Sequence, residues 1–178
     1  MPTHKTAFVF AAFTVLGAMT AAAADDVSRA AAYLAPFKKD MKAALQAGLA
    51  TGPAAAIDAC RLEAPLIAER YSNDKVRIGR SSHRLRNPAN ATPEWVSPTL
   101  AAWLDDPDMP RDPVIVELGD DRLGYIEAIP TSPICLTCHG EALAPAIESA
   151  LETHYPEDRA TGFREGDLRG VFWVELPR

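Results

Sequence analysis

Residues 135–139 read Cys-Leu-Thr-Cys-His, and this pentapeptide restricts the fold more than any other stretch of the chain. Side chains three and four residues apart share one face of a helical turn, so both thiols and the imidazole point the same way if the segment is helical. The spacing is that of covalent c-type haem attachment, with two sulfurs bonded to the porphyrin vinyl groups and the histidine turned to the iron. Cys135 and Cys138 are then the attachment points, His139 is the proximal ligand, and the cofactor, one haem c, supplies much of the apolar core of a small domain. Two other readings compete. A redox dithiol normally follows a strand in a βαβ setting, which is missing here. Zinc would need two further ligands, which only Cys60, His83 or His154 could supply.

The N-terminus supports the haem reading. Residues 1–24 combine a positive start (the N-terminus and Lys5, with His4), an apolar stretch from Ala7 to Met19, and small residues up to Ala22-Ala23-Ala24. That is the pattern of a cleaved Sec signal peptide. Thr14, Gly17 and Thr20 dilute its hydrophobicity, and the apolar core is shorter than the ~20 residues of a membrane span. Cleavage after Ala24 leaves a single mature domain, residues 25–178, without a membrane span. Loss of Lys5 leaves it with 17 basic against 24 acidic residues, so the formal charge moves from -6 to -7. The expected location is periplasmic, the compartment in which c-type haem is attached. An acidic surface lacks the footprint of a nucleic-acid binder and favours a basic protein partner, here an unidentified redox or signalling protein.

At 178 residues, 48% hydrophobic and 24% charged, the chain has a globular composition. Apolar residues at Ala30, Leu34, Phe37, Met41, Leu45 and Leu49 predict a helix over Val27 to Ala50, with Pro36 as an early kink. A second helix is expected from Pro53 to about Tyr71, with the stripe Ile57, Cys60, Ala64 and Ile67 toward the core and a bend at Pro65. Val76 to Ser81 alternates like a strand, and Pro93 to Leu104 reads as a short helix. Val114 to Leu118 and Leu123 to Ile129 flank a hairpin turn at Gly119-Asp120-Asp121. Ala146 to His154 is a further helix and Gly170 to Leu176 a last, apolar strand. Helices first, an antiparallel sheet afterwards and no βαβ rhythm define an α+β domain. Eight of the 15 prolines lie between Pro88 and Pro133, which predicts a loop-rich middle.

Past the leader, the candidates for the iron position opposite His139 are Met41, Met109, Cys60, His83 and His154. Met109 sits in a polar loop, Met41 belongs to a core stripe, and the two histidines have polar neighbours. Cys60 is a thiol left without a disulfide partner once the motif cysteines hold haem, and thiolate is a known haem ligand. Buried cysteine is also an ordinary small core residue, so the residues alone leave this position open.

Three runs add a resemblance: Arg80-Ser81-Ser82-His83-Arg84-Leu85-Arg86-Asn87-Pro88-Ala89-Asn90, then Cys135 to Gly140, then Tyr155 to Gly162 with Glu165 to Gly170. Together they resemble a family of exported single-haem proteins, catalogued largely as a domain of unknown function and first seen structurally in a cyanobacterial cytochrome. The similarity covers most of residues 26–178. It implies a PAS-like antiparallel sheet preceded by two N-terminal helices. It also implies an iron held by the motif histidine and a cysteine of an N-terminal helix, which map onto His139 and Cys60. His83 stands where the family usually carries an aliphatic residue. Arg84 and Arg86, two apart in an extended loop, point the same way and can pair with haem propionates by forked hydrogen bonds.

Two functions follow as expectations. One is a redox or signalling cytochrome with both axial positions filled, which passes or registers one electron and is not an enzyme. The other is a gas or small-ligand sensor, or a weak peroxidase-like enzyme, with a vacated sixth position. The absence of a recognisable distal His-Arg pair favours the first.

Overall fold

Four antiparallel strands carry the domain: β1 (Arg77–Ser81), β2 (Val114–Gly119), β3 (Arg122–Pro130) and β4 (Leu168–Pro177). They lie in the order β1-β4-β3-β2, so the last strand in sequence is inserted between the first and the third. That central place explains why Gly170 to Leu176 is so apolar: both faces of β4 are covered. The structure, a computed structural model, describes the backbone of residues 14–178 and the side chains from Ala23 onward. The expected leader therefore lies, up to residue 13, outside the described residues.

The hairpin between β2 and β3 turns at Asp120 and Asp121, both with positive φ (48° and 54°). A two-residue turn of this hand matches the twist of the flanking strands, and aspartate tolerates the left-handed region better than most residues.

One face of the sheet is covered by α1 (Thr14–Thr51), through Ala30, Leu34 and Phe37 against Ile78, Leu123, Tyr125, Val174 and Leu176. This helix begins upstream of the expected Val27 and passes through Pro36 unbroken. The missing Pro36 N–H frees the carbonyl of Ala32, and both residues are exposed, so the helix carries the proline on its solvent side. The opposite face packs on α4 (Ser97–Asp105), through Val96, Leu100 and Trp103 against Ile126, Leu168 and Val171. The expected start of α4 at Pro93 is instead a turn, whose Pro93 carbonyl accepts from the N–H groups of Val96 and Ser97. On this face two indoles, edge to face with each other, crowd against glycines. A Cβ at Gly79 would come within 2.2 Å of Trp173, and one at Gly124 within 2.5 Å of Trp95, so only glycine admits them.

The second expected helix divides into α2 (Pro53–Asp58), a π turn (Ala59–Glu63) and α3 (Ala64–Arg70). The Ala64 N–H reaches back five residues to the Ala59 carbonyl. Pro65, unable to donate to Arg61, follows at once, and the widened turn takes the place of the expected bend. Two short helices complete the chain, α5 (Leu136–His139) and α6 (Pro145–His154). Helix α6 lays Ile147 and Leu151 against Ile57 of α2, with Tyr155 beside them. Among the described residues no helix is long and apolar enough to cross a membrane. Helices on both faces of an antiparallel sheet make the chain α+β, the class read from the sequence.

Candidate functional site

Beyond the apolar packing under α1, the same sheet face opens into a cavity. The period of two along a strand continues Ile78 to Arg80, Val174 to Phe172, and Tyr125 and Glu127 to Ile129, and all three end positions line the cavity. The motif closes one side. Pro133 opens a 3-10 turn (Pro133–Cys135) that runs into α5, so Cys135, Cys138 and His139 share a face and line the cavity together.

Cys60, half-buried on the π turn, lines the cavity from another element. It also lines an adjoining apolar cavity that contains Met41 and Leu45. Ile57 and Tyr155 close the lining next to Cys138, whose thiol burial pushes up in pKa. Burial likewise raises the Tyr155 hydroxyl, with the sulfur of Cys60 near enough to add to the effect.

His139 is held by its Nδ1, which donates to the Ala160 carbonyl at 2.6 Å. Its Nε2 accepts from Nη2 of Arg169 at 3.1 Å, so both contacts agree on one tautomer. Burial first, then the charges of Arg169 and Arg86, push its pKa down to about 2. The ring is therefore neutral, the form in which imidazole ligates a metal.

Arg86 and Arg84 both reach the cavity wall and both tie the loop at residues 158–163 to it. Arg86 pairs with Asp158 at 3.0 Å, each side chain only 10% exposed, and donates to the carbonyls of Cys138 (2.5 Å) and Ala160 (3.4 Å). Arg84 donates to the carbonyls of Thr161 (3.0 Å) and Gly162 (3.1 Å) and covers the Phe163 ring at 4.9 Å. Two more arginines, Arg80 and Arg169, line the cavity and went unassigned in the sequence reading. The signal for Arg80 was its place two residues past Ile78 on an alternating strand. Arg169 had no signal beyond its place in the Glu165 to Gly170 run. Burial and the charges of Arg80 and Arg86 bring the pKa of Arg169 down to about 10. Among the described residues neither Arg80 nor Arg169 has a carboxylate within ion-pair distance.

The remaining candidates lie elsewhere. His83 is exposed, its ring edge-on to Phe163 at 5.7 Å, and does not line the cavity. His154 is exposed at the end of α6, and Met109 is exposed in its loop. Among the described residues no group of three or more His, Cys, Asp or Glu side chains is arranged to hold a bare metal ion.

Comparison with known proteins gives one family and one fold. A family model described as Tll0287-like matches residues 17–177. The crystal structure of the cyanobacterial heme-protein Tll0287 is similar over 65% of this chain and 68% of its own, at 26% identity and a TM-score of 0.50. No curated protein matches the chain. The α+β fold with its four-stranded antiparallel sheet is PAS-like, and the family match spans nearly all of it. This chain belongs to the Tll0287-like family.

Proposed function

We propose that this protein is an exported c-type monohaem cytochrome that passes or registers one electron, and that it is not an enzyme. The observation that carries the reading is the convergence of Cys135, Cys138, His139 and Cys60 on one cavity from two separate elements. The donor set fits a haem: two thiols and an imidazole on one turn, a third thiol on another wall, apolar side chains between them, and arginines for the propionates. A heme-protein among the similar structures supports the same cofactor. The leader-like residues 1–24 and the acidic composition support export.

Bound haem supplies a one-electron iron couple. The chain's own residues prepare for it. Ala160 fixes the His139 tautomer so that Nε2 is the ligating nitrogen. Arg86 holds the motif turn by its Cys138 carbonyl and spends its charge on Asp158. Cys60 would be the second protein group to hold the iron, as thiolate, since a coordinated thiol is deprotonated. An anionic sulfur there would favour the ferric state and place the potential at the low end of the ~0.8 V that haem ligands span.

The test is the intact mass of protein made with a cytochrome c maturation system. The expected value is that of the chain from Asp25 plus one haem, retained through acid-acetone extraction. The bare polypeptide mass would overturn the reading.

A further inference from the structure

We propose that Arg80 and Arg169 are the residues that bind the two haem carboxylates, and that Arg86 and Arg84 serve the motif and its loop instead. The inference rests on the haem reading above and assigns one end of the cavity that this reading leaves open.

Arg80, Arg86 and Arg169 line the same cavity. One carboxylate, Asp158, is paired within this cluster, and it is committed to Arg86 by a 3.0 Å ion pair. Of the four arginines at the cavity wall Arg84 is exposed, which leaves Arg80 and Arg169 as the two half-buried charges without a carboxylate, in a chain whose net charge is -6. A guanidinium held partly out of water without a counter-charge is costly, and Arg80 and Arg169 are both half-buried, so a cavity lined this way is matched to a dianionic ligand. A haem carries two carboxylates.

Geometry separates the four arginines further. Arg86 spends Nε and Nη2 on Asp158 and on the carbonyls of Cys138 and Ala160. Arg84 is exposed and straps the 161–162 backbone. Arg169 is bonded only to neutral groups, Ser82 Oγ at 3.3 Å and His139 Nε2 at 3.1 Å. Once Nε2 ligates iron it accepts no hydrogen bond, and a carboxylate is the stronger acceptor for the freed fork. Arg80 lines the cavity from β1, where its antiparallel partner is Phe172 of β4, so a rigid sheet holds it.

The experiment uses haem-loaded protein and two readouts other than turnover: the propionate bending bands in resonance Raman spectra, and the midpoint potential at one pH and salt concentration. In Arg80→Gln and in Arg169→Gln a propionate band is expected to shift and the potential to fall, since removing a cation beside the haem favours the ferric state. Arg169→Lys should recover most of the potential but keep the band shift, because an ammonium replaces the charge and not the fork. Arg77→Gln, the same charge change on an exposed residue of β1, should match wild type in both. Should Arg169→Gln fail to load haem, Arg80→Gln carries the test, since it has no hydrogen bond to the motif. Haem-loaded variants with wild-type bands and potential overturn the proposal, as does a band shift that appears only on substituting Arg84 or Arg86. Wild-type protein without haem overturns the preceding reading, and this one with it.

Discussion

The α1-facing side of the sheet has two ends that are built on opposite principles. At one end Ala30, Leu34, Leu123, Val174 and Leu176 exclude water with apolar side chains alone, each essentially unexposed. At the other end the same strands deliver Arg80, Phe172 and Ile129 to a cavity that also holds three cysteines, a neutral histidine and Arg169. The first end is complete within the protein, and its stability comes from burial and close packing. The second concentrates positive charge and soft donor atoms, which gain their free energy from a ligand that supplies the complementary groups. One sheet thus supports a conventional core and a cofactor cradle within a few residues of each other.

The cradle is the end most sensitive to substitution. Cys135→Ala with Cys138→Ala should abolish covalent haem completely, read as the bare polypeptide mass, and should lower the thermal midpoint as well, because the haem completes the core at that end. The matching change in the apolar end is Leu34→Ala. It removes a side chain that is 0% exposed and should cost about 2–5 kcal/mol in denaturant unfolding. The haem-loaded Leu34→Ala protein should keep the wild-type ferric spectrum. A changed spectrum would mean that the two ends are mechanically coupled.

Sequence reading served the two ends unequally. The strands, the hairpin and the stripe Ala30, Leu34, Phe37 were legible because burial on a regular element imposes a period, and that period survives in the sequence. The motif turn was legible because its chemistry needs fixed spacing. The π turn was not, since it appears in sequence only as a proline inside a helical pattern, and a simple bend would look the same. Nor were the protein contacts of the arginines legible. Arg84 and Arg86 alternate as expected, but Asp158, which pairs with Arg86, lies 72 residues away. The approach of Trp173 to Gly79 and of Trp95 to Gly124 has no sequence signature either, because a glycine in a strand does not say what lies over it.

A change confined to the iron should act on the cradle alone. Cys60→Ala and Cys60→Ser should alter the ferric low-spin spectrum and raise the potential, through loss of an anionic ligand. Their effect on unfolding should be smaller than that of Leu34→Ala, because Cys60 is half-buried and faces the cavity. Unchanged ferric spectra and electron paramagnetic resonance signals in both variants would eliminate Cys60 and direct attention to Met41, which lines the adjoining cavity.

The smallest expected effect lies at the seam between the two ends. Tyr125 is 1% exposed, and its hydroxyl donates to Glu127 at 3.0 Å, while Glu127 also pairs with Lys38 of α1. Burial, reinforced by the Glu127 charge, raises the Tyr125 pKa well above its ordinary 10. The unfolded chain therefore releases this proton as pH passes about 10 while the folded chain keeps it, and stability falls with rising pH because the unfolded state binds fewer protons. Tyr125→Phe removes both the hydrogen bond and the titration. Below pH ~10 the variant should be less stable by about 0.5–1.5 kcal/mol, the net value of one hydrogen bond. Above it the wild type should lose stability faster, so the two urea midpoints, measured from pH 8 upward, should converge. Parallel curves over that range would mean that Tyr125 titrates alike in the folded and unfolded chains, and that the seam is more open to water than its burial indicates.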